Sequence, residues 1–82
     1  MSPDHRICAI DHARARARQR YGIDLDLAAY HALCLQIAEG RALPAPVGFQ
    51  QANVSTVLHE RRFLIAAYDP AGGIIKTFLT KR

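Results

Sequence analysis

The sequence has few of the residues that mark specialised classes of protein. It contains no tryptophan and only two cysteines, Cys8 and Cys34, which belong neither to a C-x-x-C pair nor to a Cys/His metal spacing. No apolar run approaches the roughly 20 residues of a membrane-spanning helix, and no secretory signal opens the chain. We therefore expect a reduced, cytoplasmic protein without cofactor, metal site or membrane segment, in which Cys34 belongs to the core.

Acidic residues are scarce relative to basic ones. Seven Asp and Glu oppose eleven Lys and Arg, which gives a net charge of +4 and a pI near 9.6. Nine of the basic residues are arginine, and the guanidinium group matches phosphate oxygens in a two-pronged geometry. The balance favours a phosphate-bearing partner, although a basic surface that serves only solubility would have the same composition.

The length allows one domain. A chain of 82 residues has room for a single modest core, because a domain of this size buries only about 60–65% of its unfolded surface. Half of the residues are apolar and 22% are charged, a mixture too hydrophobic for a disordered segment. We predict one domain over residues 1–82, with a helical half at about 4–40 and a strand half at about 47–80.

The first helix is predicted from a cap, a run of helix formers and a stop. Asp11 is a favourable N-cap for a helix over His12–Tyr21, where alanine and arginine alternate, and Gly22 ends the pattern. The alternation is not that of a strand, because alanine and arginine favour helices. Residues 1–10 fit either an extended lead-in or an earlier start of the same helix.

A second, amphipathic helix is predicted between a cap at Asp24 or Asp26 and a stop at Gly40. Apolar residues recur between them at spacings of three and four, as on the buried face of a helix. Pro44 and Pro46 then forbid helix and require extended or turn backbone. They form the hinge between the two halves of the chain.

The last part of the chain consists of short runs rich in β-branched and aromatic residues. Glu60-Arg61 and segment 69–73 are turn sequences, too short to join any but antiparallel neighbours. The predicted fold class is α+β, with two N-terminal helices packed on a three- to four-stranded antiparallel sheet. The predicted strands are 47–51, 53–59, 62–69 and 74–80.

Cations of the first helix are grouped by their spacing. Residues four apart in a helix lie one above the other, so His12, Arg16 and Arg20 form one ridge beside a small, apolar ridge that would face the sheet. Stacked like charges cost roughly a few tenths of a kcal/mol per pair, which an anionic ligand would offset. Water, or carboxylates elsewhere in the chain, would satisfy the same ridge in a purely structural role.

Two segments resemble a group of known proteins. The string His12–Gly22 (HARARARQRYG) and the closing run Ile75–Thr80 (IKTFLT) are similar to those of small phage and toxin-system proteins. These in turn resemble the fold shared by barnase, EndoU, the colicin ribonucleases and the RelE toxins. The resemblance covers residues 10–80 by element order, but only the first helix and the last strand by motif.

The resemblance implies metal-independent RNA cleavage in a cleft beside the sheet. His12 would act as base or acid towards the ribose 2′-hydroxyl, Arg16 and Arg20 would hold the scissile phosphate, and Thr77 would orient it. Strict alternation along the last strand places Thr77 among apolar neighbours, which is also typical of a residue at the edge of a core. The wider RNA-binding surface is predicted to include Arg14, Arg18, Tyr68 and Lys76.

A binding protein without catalysis is the competing hypothesis. A phage-type inhibitor would occupy a host protein or nucleic acid through the cationic helix face, or through a sheet edge ending in Thr80-Lys81-Arg82. RNA, an antitoxin and a host protein are thus the candidate partners, and a homodimer would cover a sheet face left apolar. Replacing His12 separates the hypotheses, because an enzyme loses activity whereas a charge-dependent binder depends on the arginines.

Overall fold

The structure of the chain is a computed structural model that describes residues 3–49 and 53–80, with side chains from residue 9 onward. Its elements are α1 (Pro3–Tyr21), α2 (Leu27–Ala38), β1 (Leu43–Pro44), β2 (Val54–His59), β3 (Arg62–Asp69) and β4 (Ile74–Leu79). The strands form one antiparallel sheet in the order β1-β2-β3-β4. The predicted α+β class, with the helices preceding the sheet, is confirmed.

α1 begins earlier than the predicted cap. Pro3 lies in its first turn, where a missing N–H is tolerated because the first amides of a helix have no intrahelical acceptor. Asp11 consequently lies inside the helix with an exposed side chain and is not the N-cap, which corrects the prediction. The end is as predicted: the helix stops at Tyr21, and Gly22 takes the left-handed φ of 68° that suits glycine.

α2 has a predicted cap and the predicted core face. Asp26 is the N-cap, and its side-chain carboxylate accepts a hydrogen bond of 2.7 Å from the Ala29 amide. Gly40 follows the helix with a φ of 74°, as expected for a stop. The buried side chains of the helix are Tyr30, Leu33 and Cys34, which confirms Cys34 as a core residue; the side chain of Cys8 lies outside the described residues.

The last three strands agree with their predicted bounds to within one residue. β2 and β3 are joined by Glu60 and Arg61, whose φ values of 47° and 69° are those of a type I′ hairpin turn. The loop between β3 and β4 is closed by a hydrogen bond of 2.8 Å from the Gly73 amide to the Asp69 carbonyl. Both predicted turns are confirmed.

The predicted first strand is misplaced. Residues 47–48 form a turn, and the two-residue strand β1 lies before them, pairing with Ser55 and Thr56 of β2. Pro44 lacks an amide to donate and is tolerated because β1 is an edge strand. Residues 50 and 51 of the predicted strand lie outside the described residues.

A β-bulge in β4 changes which side chains share a face of the sheet. Ala67 pairs with Thr77 and Tyr68 pairs with Ile75, so Lys76 has no partner on β3. The extra residue places Ile75 and Phe78 on the same face, where both are fully buried. The prediction of strict alternation, which put Ile75 with Thr77, is therefore wrong.

The helices cover one face of the sheet. Ala13 and Ala17 of α1 are fully buried, and their small size lets the helix lie close to β4. Tyr30 of α2 donates a buried hydrogen bond of 2.6 Å to the Ile75 carbonyl. The face opposite the helices, here called the outer face, includes Thr77, which pairs with Ala67 one step from the buried Phe78.

Candidate nucleic-acid interface

The arginines of α1 are held in different ways. Arg14 Nε donates to the Leu25 carbonyl at 2.7 Å, which ties α1 to the segment before α2. Arg16 Nη1 donates to Gln19 Oε1 at 3.0 Å on the helix surface. Neither bond neutralises charge, because both acceptors are uncharged amide oxygens.

Arg20 lies at the free edge of the sheet. Its Nη1 donates to the Phe78 carbonyl at 2.7 Å. The neighbouring Leu79 carbonyl accepts from the Tyr21 hydroxyl, which also accepts from the Ile65 amide of β3. Because carbonyls alternate sides along a strand, the Phe78 carbonyl points away from β3, and Arg20 caps the exposed edge of β4.

None of these arginines is paired with a carboxylate. Among the described residues, the ion pairs are Arg41 with Glu39, at 2.6 Å, and His59 with Glu60, at 3.6 Å. The Arg18 side chain is exposed and makes no hydrogen bond to another described residue. The alternative in which carboxylates elsewhere in the chain satisfy the ridge is therefore not realised among the described residues, and these arginines keep their positive charge at the surface of α1.

The predicted site residues are divided between α1 and the outer face of β4. His12 is exposed on α1, one helical turn before Arg16, as its spacing predicts. Thr77 lies on the outer face, with the sheet between it and the core-facing side of α1. Arg20, at the end of the predicted ridge, reaches β4 at the Phe78 carbonyl, next along the strand from Thr77.

The wider predicted surface is also divided. Arg18 is exposed on α1. Arg14 is partly buried, because its side chain bonds to the Leu25 carbonyl in the segment before α2. Tyr68 is half-buried and packs against the core. Lys76 is exposed at the bulge of β4, so it is the member of this group that lies at the free sheet edge.

Sequence reasoning did not find two backbone contacts made by side chains. Tyr21 follows Ala13 and Ala17 at four-residue spacing on the apolar ridge of α1, but its hydroxyl bridges β3 and β4 at the end of their ladder. Gln36 of α2 pairs with Leu58 of β2: its Nε2 donates to the carbonyl at 2.7 Å and its Oε1 accepts from the amide at 3.0 Å. Helical spacing gives no signal for either, because both partners come from distant strands.

Comparisons with known proteins leave the resemblance untested. No family model matches the sequence, and no curated protein or solved structure is significantly similar to it. Among the described residues, no helix has the length and apolar character to cross a membrane, and no three His, Cys, Asp or Glu side chains are grouped as metal ligands would be.

Proposed function

We propose that the chain is a small RNA-binding protein that contacts the phosphate backbone through the exposed arginine surface of α1. The observation that carries the proposal is the absence of any carboxylate partner for Arg14, Arg16, Arg18 and Arg20 among the described residues. A cation without an internal partner keeps its full attraction for an external anion such as a phosphate group.

The arrangement suits phosphate contact better than base readout. Arg16 and Arg20 lie one helical turn apart on the same ridge of α1, which reaches the edge of β4, and Arg18 is exposed on another side of the helix. Each guanidinium has five N–H donors, so the single bonds made by Arg16 and Arg20 leave donors for phosphate oxygens. Phosphate contacts carry no sequence information, so the expected binding is strong at low salt and weakly sequence-dependent.

The choice of RNA over DNA depends on the resemblance of His12–Gly22 and Ile75–Thr80 to ribonuclease-fold proteins. Cleavage is the finer hypothesis, and the geometry supports it less than binding. His12 is exposed and Arg16 half-buried on one ridge of α1, whereas Thr77 lies on the outer face of the sheet. A site that moves a proton from a 2′-hydroxyl needs its groups within hydrogen-bonding reach of one substrate atom.

The test is fluorescence anisotropy with a short labelled RNA, comparing the wild type with Arg16→Gln, Arg18→Gln and the double variant. Each lost phosphate contact is expected to weaken binding about threefold to tenfold, because a charge-assisted hydrogen bond is removed. Arg41→Gln is the matched control, since it removes the same charge from a residue already paired with Glu39. Equal losses in the control and the α1 variants would contradict the proposed surface.

The same samples test cleavage. Total RNA is incubated with wild type and His12→Ala in the presence of EDTA and resolved on a denaturing gel. Binding without new fragments supports the proposed function. Fragments that disappear with His12→Ala would instead establish the metal-independent ribonuclease, and an absence of RNA binding at low salt would reject both.

A further inference from the structure

The outer face of the sheet carries exposed apolar side chains on adjacent strands. Leu58 and Phe63 are a direct cross-strand pair with exposures of 46% and 58%, and Leu43 of β1, at 51%, pairs with the next outward position, Thr56. Directly opposed side chains lie about 4.5–5.5 Å apart at their Cβ atoms, so these residues form one patch. Contiguous apolar surface of this kind is typical of interaction sites.

Two depressions meet on this patch. One, of about 410 Å³, lies between Arg41, Leu43, Leu58 and Phe63, and the other, of similar volume, lies between Arg20, Pro46 and Ile65. Thr56 and Phe63 line both. The two are therefore one shallow groove, here called the outer groove, with Phe63 at its middle and an arginine at each end.

Side chains of the protein occupy the backbone groups that a partner strand would need. Gln36 fills the edge of β2 at Leu58, beyond the reach of the two-residue strand β1. Arg20 caps the Phe78 carbonyl at the opposite edge. Strand addition at these points would first have to break those bonds, so a partner is accommodated on the face of the sheet rather than at its edges.

The charge around the outer groove distinguishes a second copy of the chain from an acidic partner as its occupant. No carboxylate lines either depression, and the chain carries a net charge of +4. A second copy would bring the same positive charge to the patch, which opposes close association. A partner with apolar side chains flanked by carboxylates matches both the patch and its rim.

We infer that the outer groove is a docking site for an acidic amphipathic helix of another protein. The apolar stripe of this partner helix covers Leu43, Leu58 and Phe63, and the carboxylates on either side of the stripe pair with Arg20 and Arg41. A helix presents an apolar stripe and flanking charges together, which an edge-paired strand does not. Arg41 already shares its charge with Glu39, so the Arg20 end makes the stronger electrostatic contact. The site shares Arg20 with the proposed phosphate contacts but includes neither Arg16 nor Arg18, and its occupation by a helix does not depend on RNA binding.

The test uses two labelled helical peptides as probes. One has leucines along one face and glutamates on both flanks, and the other has lysine in place of every glutamate. Anisotropy should show the acidic peptide binding at least about tenfold more tightly. Phe63→Ser should weaken that binding by a similar factor, while Leu27→Ser, which alters an equally exposed leucine at the start of α2, should leave it unchanged.

Three results would overturn the inference. Binding of neither peptide, or equal binding of both, would exclude an acidic helix as the occupant. Self-association of the wild type that Phe63→Ser abolishes, measured by sedimentation, would assign the groove to a second copy. A loss of RNA affinity in Phe63→Ser that equals the loss in Arg18→Gln would assign it to nucleic acid. Circular dichroism of each variant confirms that the fold is retained.

Discussion

The side-chain amide of Gln36 pairs with the backbone of Leu58 as a neighbouring strand would. It donates to the carbonyl at 2.7 Å and accepts from the amide at 3.0 Å. β1 reaches only as far as Thr56 along β2, so without this contact the backbone at Leu58 would be open to another chain. The helix thus supplies the edge protection that a longer β1 would otherwise give.

Replacing Gln36 with alanine is expected to destabilise the fold and expose the edge of β2. Two exposed hydrogen bonds are lost, and at about 0.5–1 kcal/mol each the free energy of unfolding falls by about 1–2 kcal/mol. Urea denaturation measures the loss, and light scattering after heating reports aggregation through the opened edge. Gln19→Ala, which removes an amide bonded only to Arg16, should change neither by a comparable amount.

Removing the hydroxyl of Tyr21 is expected to weaken the attachment of α1 to the sheet. The hydroxyl accepts from the Ile65 amide at 3.0 Å and donates to the Leu79 carbonyl, so Tyr21→Phe leaves two partly buried backbone groups without a partner. The cost is about 1–3 kcal/mol. Thermal unfolding should show it, whereas Tyr68→Phe, whose hydroxyl makes no hydrogen bond to another described residue, should unfold close to the wild type.

The turn between β2 and β3 offers a stabilising change. Glu60 and Arg61 both hold positive φ, a conformation that costs a residue with a side chain about 1–2 kcal/mol and that Asn-Gly adopts readily. Substituting Asn-Gly at these positions should raise the free energy of unfolding by about 1–2 kcal/mol. The adjacent Arg62→Gly lies in regular strand and should have the opposite effect; stabilisation by both would refute the turn argument.

Salt dependence tests how RNA is bound. If Arg16 and Arg18 each neutralise one phosphate, the double variant Arg16→Gln/Arg18→Gln should reduce the slope of log K against log[salt] by about two. Titrations between about 50 and 200 mM salt provide the slope. A slope that stays unchanged while affinity falls would show that these side chains act on the fold rather than on phosphate.

The strands that the sequence predicts correctly are bounded by strong local signals. β3 lies between two turn sequences, Glu60-Arg61 before it and segment 69–73 after it. These turns define where the strand begins and ends, and both are turns in the structure. The helix stop at Gly22 is equally local. The prediction of an N-cap at Asp11 is wrong, because a residue that favours caps is also tolerated on the exposed side of a helix that starts earlier.

The parts that could not be predicted depend on tertiary contacts. β1 is a strand only because β2 lies beside it, and nothing in Leu43-Pro44 by itself favours extended pairing over a loop. No sequence signal predicts the bulge at Lys76, yet the bulge places the side chains of Ile75 and Thr77 on opposite faces of the sheet. The placement of the candidate residues within α1 follows from helical spacing alone, whereas the face on which Thr77 lies depends on the register of β4; that these residues form a site stays a prediction.

The bridge made by Tyr21 also constrains the order of events during synthesis. The helix that carries this hydroxyl leaves the ribosome first, while the Ile65 amide and the Leu79 carbonyl that it joins emerge 44 and 58 residues later. Contacts between such distant positions close large loops and form slowly. A nascent chain therefore holds α1 with its apolar side uncovered until β4 has emerged, and during that interval the uncovered surface is open to misassembly.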